Sequence, residues 1–316
     1  MSPYHLCLAV ALSGCDMGED QSGSHNPPPV DTLALKIPSL NGASTLDVGT
    51  WNIEWFGNSG NGPTNEALQL STVRSALLGM KLDVIGLQEV TSQTQWDELE
   101  RGLPGYTGFL AVESSVVGGR GSYDAGEQKV GILYRSSVAT LVGARIVLAS
   151  HDFSFAGRPP LEVTLRVTLD GVTQNVIVLV LHMKAFSDAE SWQRRVDASV
   201  ALKAFLDVTY PTQRVIVLGD WNDDLDVSIS PGRRSPYDNF VADPLRYAFP
   251  TLELSVSRVP TTVGFADAID HHLVSNELAA LVQAGSVRVV RLDQVIAGYA
   301  QITSDHYPVV VSYRMR

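Results

Sequence analysis

Cysteine is almost missing from this chain: its 316 residues include only Cys7 and Cys15. A domain that begins after residue 15 is therefore built without a disulfide, and no thiolate cluster can hold a structural zinc in it. Positive charge is also short. Lys and Arg number 23 against 34 Asp and Glu, for a formal charge of -11 and a pI near 5.0. That balance speaks against a broad basic face gripping nucleic acid by counterion release. It leaves phosphate chemistry open, because a bound divalent cation can supply positive charge locally. A long hydrophobic run is lacking too, since the apolar stretch Leu6 to Leu12 is too short to span a bilayer. No internal repeat is found. What the chain does have is apolar content, 45% by residue, enough for the core of one large domain or two ordinary ones.

Residues 1–14 resemble a bacterial secretory leader, although the usual Lys or Arg near the start is missing. Leu12-Ser13-Gly14-Cys15 looks like a lipobox, which implies lipid attachment at Cys15, cleavage before it, and a lipid-anchored protein of the cell envelope. Residues 15–44 follow as a tether. Asp16 to Asp31 is rich in Gly, Ser, Asn and Asp, holds the run Pro27 to Pro29, and has too little apolar surface to fold. The folded domain is expected over residues 45–316, as a monomer.

In that domain, apolar runs repeatedly stop at polar clusters. Val215-Ile216-Val217-Leu218-Gly219 reads as a buried strand that delivers Asp220 and Asn222 to its end. A carboxylate there can take a proton from water, and an amide can donate to a charged oxygen. Leu46 to Phe56 reads as the first strand, with Asn52 and Glu54 on one face and Trp51, Ile53 and Trp55 on the other. A second strand ends at Gln88-Glu89, and the six apolar residues Val176 to Leu181 end at His182. Further strands are expected at 129–135, 144–149, 161–169 and 287–292, with a last one from Val309. Helices are expected at 66–81, 92–101 and 188–208, the last with Trp192, Val196, Val200 and Phe205 inward and Arg194-Arg195 on a solvated face. The guanidinium of Arg158 sits beside the stiff Pro159-Pro160 pair. The segment from Asp223 to Phe265 reads as a long insertion. Of His271 and His272, one is expected at the surface.

Glu54, Glu89 and Asp305 are hard oxygen ligands suited to Mg²⁺ or Mn²⁺. With them, His182, Asp220, Asn222, Asp270 and His306 at strand ends could activate water and stabilise a phosphate attacked in line. Together WNIEWF, GLQEV, KVGILYR, LHMKA, GDWND, AIDHHLVS and SDHYPV resemble, in that order, the motifs of the metal-dependent endonuclease/exonuclease/phosphatase family with the deoxyribonuclease I-like fold. The resemblance implies a four-layered αββα sandwich of two mixed β-sheets. It also implies Mg²⁺, Mn²⁺ or Ca²⁺ as cofactor and hydrolysis of a phosphate ester, with nucleic acid as the leading substrate.

Carried over residue by residue, Asn52 would orient the site and its phosphate, Glu89 would be the principal metal carboxylate, and Glu54 would help a second metal. Asp220 would orient or deprotonate the attacking water, and Asn222 would bond the transition-state oxygens. His182 would contact phosphate or assist the leaving group. Asp270 would hold His306 in one tautomer, Asp305 would complete the metal site, and Arg158 would bind substrate phosphate. Gln128 stands near where secreted deoxyribonucleases carry a glutamate that supports the first histidine, which would leave His182 less basic. Two other readings remain at this point: a sphingomyelinase-like lipid head-group phosphodiesterase or small phosphate-ester phosphatase, and a non-catalytic binding domain on the same scaffold.

Overall fold

A computed structural model describes residues 36–42 and 44–316. The leader, Cys15 and most of the tether lie outside the described residues. In chain order the elements are β1 (Thr45–Phe56), α1 (Glu66–Met80), β2 (Val84–Val90), α2 (Gln93–Arg101), β3 (Tyr106–Leu110), β4 (Lys129–Arg135), β5 (Ala139–Ile146), β6 (Leu161–Leu169), β7 (Val172–His182) and α3 (Ala189–Thr209). They continue with β8 (Val215–Asp220), α4 (Asp238–Val241), β9 (Tyr247–Ala248), α5 (Leu252–Val256), β10 (Asp270–Ser275), α6 (Asn276–Ala279), β11 (Arg288–Val289), α7 (Tyr299–Ile302) and β12 (Val309–Arg314).

The helices start where a polar side chain can take an orphan N–H. Asn65 accepts from Leu68 at α1, Ser92 from Gln95 at α2, and Asp188 from Ser191 at α3. The strands form two six-stranded mixed sheets, ordered β11-β12-β1-β2-β4-β3 and β5-β6-β7-β8-β10-β9. Each has one parallel pair at its centre, β1 with β2 and β7 with β8, flanked by antiparallel neighbours.

The sheets pack face to face through aliphatic side chains that include Val48, Val84, Ile132, Val163, Val178, Ile216 and Val311. Outside the first sheet, Leu70, Val73 and Leu77 of α1 and Trp96 of α2 cover Trp51, Ile53 and Leu87. Outside the second, Ala198, Leu202 and Leu206 of α3 cover Leu179, Leu181 and Val217. The result is the expected αββα sandwich. Each fully buried aliphatic contributes roughly 1.5–3 kcal/mol, against about 0–1 kcal/mol for an exposed ion pair, so the three apolar interfaces hold the layers together.

Several expectations need correcting. The folded unit starts before residue 45: Ile37 and Leu40 pack beside α1, and Leu40 donates its N–H to the Met80 carbonyl at 2.9 Å. The strand expected at 144–149 runs instead from Ala139 to Ile146, and that at 287–292 shrinks to Arg288–Val289. Strand β3 has no counterpart in the sequence reading. On α3 the buried face is Ser191, Arg195, Ala198, Leu202 and Leu206, while Val200 is exposed. A face chosen by apolarity misses a helix that buries an arginine. His271 and His272 are both fully buried, bonded to Ala268 and Thr251 and to Val309 and Tyr313 respectively.

Candidate active site

The topology brings the C-terminal ends of both central parallel pairs to one edge of the sandwich. Register then sets neighbours: His182 lies opposite Asp220 across β7 and β8, and Asp220 lies opposite Asp270 across β8 and β10. Gly219 permits this closeness, because a Cβ there would stand 2.0 Å from the Leu181 carbonyl oxygen. In the other sheet Asn52 is in register with Gln88, after which β1 and β2 slip against each other. The irregularity re-aims the chain. Glu54, Trp55 and Glu89 take positive φ of 43°, 49° and 64°, as does Asn222 at 53°. Backbone strain of this kind costs on the order of 1–3 kcal/mol per residue and gathers at functional sites. It also breaks the expected alternation, so Trp55 leaves the core face and lines the cleft.

Buried groups brace the distorted segment. The Gln69 amide donates to the carbonyls of Ile53, Glu54 and Thr303 at 2.9, 2.8 and 3.1 Å. Ser304 donates to the Asn52 carbonyl at 2.7 Å and accepts from the His306 N–H at 3.0 Å. The Trp51 indole N–H holds the His306 carbonyl at 3.0 Å.

At the centre, the Asn52 amide bridges two carboxylates, donating to Glu89 Oε1 at 2.9 Å and to Asp220 Oδ2 at 3.0 Å. Glu89 also accepts the Trp55 N–H at 3.0 Å. Asp220 lies between two imidazoles, with His182 Nε2 at 3.5 Å and His306 Nε2 at 3.7 Å from Oδ2. Its other oxygen accepts the Asn222 N–H at 2.9 Å. His306 Nδ1 bonds Asp270 Oδ2 at 2.9 Å, and Thr261 donates to the same oxygen at 2.7 Å. Asp305, half-exposed, is 3.9 Å from His306. Glu54 sits behind it, accepting the Asp305 N–H at 3.0 Å.

The electrostatics follow from burial and crowding. Desolvation, joined by Asp270 and Glu89, pushes the Asp220 carboxyl up to about 7, even though His306 opposes the shift. Desolvation and the neighbouring Asp305 push Glu54 to about 7, and burial raises Glu89 despite its hydrogen bonds. The two histidines diverge. Burial drives His182 well below the ordinary value, with Arg158 and His306 adding repulsion. His306 goes well above it, because Asp270, Asp220 and Asp305 outweigh its desolvation.

Not every anticipated contact forms. The Arg158 guanidinium donates to the carbonyls of His182 and Met183 at 3.4 and 2.9 Å and to Gln128 Oε1 at 3.0 Å, so it braces the end of β7 while still lining the cleft. Gln128 serves Arg158 and not His182, whose Nδ1 is buried with no hydrogen-bond partner among the described residues. The Asn222 amide donates to the Met183 carbonyl at 3.1 Å. Sequence reasoning passed over Trp55, Lys184 and Phe186, which line the cleft. Lys184 stands within the LHMKA motif, which was signal enough to find it.

The cleft measures about 510 Å³. A larger one, about 820 Å³, lies where β1 begins and β12 ends. It contains no metal-ligating group of three among the described residues, whereas Glu89 with His182 and Asp220, and Asp220 with Asp270 and His306, each gather ligand atoms within 4.8 Å. Chemistry and not size places the site.

The fold is shared with solved structures. D. rerio TDP2 complexed with a single-strand DNA product matches at 15% identity over 85% of this chain and 99% of its own, with a TM-score of 0.61. The human Nocturnin catalytic domain with bound sulfate matches at 19% over 92% and 99%, with a TM-score of 0.56. The mannosyl-6-phosphatase of Bacteroides thetaiotaomicron matches at 16% over 84% and 98%, with a TM-score of 0.53. Comparison with curated proteins finds no match. The Endonuclease/Exonuclease/phosphatase family model, however, matches residues 49–306. Since that span takes in every clustered side chain described above, the chain belongs to this family and is a divalent-metal-dependent phosphoric ester hydrolase.

Proposed function

We propose that the protein is a phosphodiesterase that cuts nucleic acid internally by in-line attack of water on a backbone phosphate. The observation that carries the reading is geometric: in an open cleft the buried Asp220 carboxylate stands between the Nε2 atoms of His182 and His306, at 3.5 and 3.7 Å, with its oxygens fixed by Asn52 and the Asn222 N–H. A carboxylate so placed can take a proton from water beside a protonated imidazole.

The residues fit a divalent cation. Glu89 and Asp220 are crowded, desolvated carboxylates beside His182, an arrangement that a dication relieves. The oxygen-rich donor set, with Asn52, Glu54 and Asp305 adjoining, suits Mg²⁺ or Mn²⁺, with Ca²⁺ as the larger alternative. When bound, such an ion supplies positive charge to phosphate oxygens and makes water easier to deprotonate.

This chain's residues do the rest. Asp220, its oxygens fixed by Asn52 and the Asn222 N–H, takes the proton from the attacking water. His306, kept protonated by Asp270, gives its proton to the ester oxygen that departs as the P–O bond breaks. His182 offers an uncharged Nε2 on the opposite side of Asp220 and contacts the phosphate. The second N–H of the Asn222 amide is available to a transition-state oxygen, and the bracing by Arg158 holds His182 and Met183 in place for both.

Purified protein incubated with plasmid DNA, RNA, sphingomyelin or bis-p-nitrophenyl phosphate, each with Mg²⁺, Mn²⁺, Ca²⁺ or chelator, tests the reading. Metal-dependent nicking of DNA that falls by about 10²–10⁴-fold in His306→Ala is expected. Selective cleavage of sphingomyelin would transfer the function to lipid head groups, and turnover of phosphomonoesters alone would make the protein a phosphatase.

The proposed setting is the cell envelope, with a monomer tethered through a lipid on Cys15. Its support is the Leu12-Ser13-Gly14-Cys15 sequence. Among the described residues no helix is long and apolar enough to cross a membrane. The mass of the mature N-terminus would show a diacylated or triacylated Cys15, and an unmodified Met1 would end this part of the proposal.

A further inference from the structure

The loop after β7 departs from the rest of the surface. Phe186, four residues beyond His182, lines the catalytic cleft with 71% of its surface exposed. Among the described residues the exposed phenylalanines are Phe153, Phe186 and Phe265, and Phe186 is held in an unfavourable backbone conformation, with φ of +77°. The conformation is fixed from beneath. Arg195, fully buried in α3, donates through one nitrogen to the carbonyls of Lys184 and Phe186, both at 2.7 Å. The same guanidinium is anchored by Asp223 at 2.9 Å and Ser230 at 3.1 Å.

Cations accompany the ring although the chain as a whole is acidic. Lys184 Nζ lies 4.3 Å from the Phe186 centroid, and Arg194 lines the same cleft. Arg194 is itself stacked at 4.1 Å over Phe153, which is 66% exposed. A rigid phenyl ring with one ammonium against it and most of its area in water loses nothing by receiving a flat π-system. Two cations nearby suit the phosphates on either side of such a group.

We propose that Phe186 is the stacking platform for the nucleobase next to the scissile phosphate, and that Lys184 and Arg194 take the flanking phosphate. The inference rests on the nucleic-acid reading of the site and narrows it to a substrate whose base is free to unstack, a single strand or a frayed end. Base stacking on aromatic side chains is tolerant of sequence, so the platform selects a strand state and not a base. Arg195 acts through the loop and is a positioning residue.

The test is a cycle between protein and substrate. Wild type and Phe186→Ala are compared on a single-stranded oligonucleotide and on the same strand with abasic sites throughout. Phe186→Ala is expected to lower kcat/KM on the intact strand by roughly 5- to 100-fold. On the abasic strand wild type should show a similar loss, and the substitution should add little to it. Phe186→Trp should restore the intact-strand rate. Equal losses on intact and abasic strands would make the ring merely structural and overturn the inference while leaving the nuclease reading in place. A wild-type protein that nicks plasmid DNA but cleaves neither strand would overturn this inference alone, and one that cleaves no nucleic acid at all would overturn the nuclease reading with it.

Discussion

Asp220→Asn is expected to lower kcat by about 10²–10⁴-fold, the range for removing a positioned general base, while making the metal-free protein more stable. The amide keeps the shape but offers one oxygen where the carboxylate offers two. It can still accept the Asn222 N–H, while the Asn52 amide would face an NH2 and lose an acceptor, a cost of about 0.5–1.5 kcal/mol that trims the gain. The gain in stability follows from proton linkage. Desolvation first, with Asp270 and Glu89 adding, raises the folded-state carboxyl to about 7 from an ordinary 3.8. Below pH 4 the group is neutral in both states. Between about 4 and 7 the unfolded chain ionises first, and stability is lost as pH rises through the folded-state value. Above 7 the loss is complete.

Asparagine never pays this cost, so the variant's advantage opens across that window and levels off above it, at roughly 2–4 kcal/mol. Chemical denaturation in chelator at pH 4 and pH 8 measures it. Added divalent cation should then stabilise wild type more than the variant, since ligand binding to the folded state alone raises stability. A variant that retains kcat, or that is less stable than wild type at pH 8, would remove Asp220 from the centre of the site.

The second large effect is expected at Arg195. Its ion pair with Asp223, at 2.8 Å, has both side chains wholly buried. Arg195→Met would leave Asp223 charged and unpaired, which costs on the order of 3–5 kcal/mol and lowers the midpoint of thermal unfolding by roughly 10 °C at this size. The double variant Arg195→Met, Asp223→Asn should recover much of that loss, because the orphaned charge has gone. It should not recover full activity, since the carbonyls of Lys184 and Phe186 would still lack their donor and the loop after His182 would no longer be held. Thermal scans and steady-state kinetics on the single and double variants separate the two effects. Full activity in the destabilised single variant would show that the loop needs no anchor.

Arg195 also shows where sequence reading fails. Beside Arg194 in a helix it looks solvated, and nothing local says that Asp223, in the next strand-end loop, will neutralise it. The same holds for Phe186 and Trp55, which have the composition of core residues and lie in the cleft because the backbone around them is bent. The catalytic constellation was more legible. Glu89, His182, Asp220 and Asn222 stand where an apolar run stops, Asn52 on the polar face of the first strand, and Asp305 and His306 just before the last strand, and the structure brings all of them to one edge. Arg158, from a proline-stiffened loop, and Asn222, from a strand end, show the limit of that reading: both line the cleft, while their carbonyl partners appear only in three dimensions.

By itself the sequence determined the class of the fold through the order of its family motifs, and most of the strands, the long helices and the residue types available at the site, because hydrophobic periodicity and strand-end chemistry are local properties. It also determined that residues 16–316 supply no thiolate. Tertiary structure decided which of these residues touch, which histidine carries charge, and which arginine is buried. Those outcomes depend on register between strands far apart in the chain, on the irregularity that turns Glu54 and Glu89, and on desolvation. Each is a property of how the layers close over one another and not of any single segment.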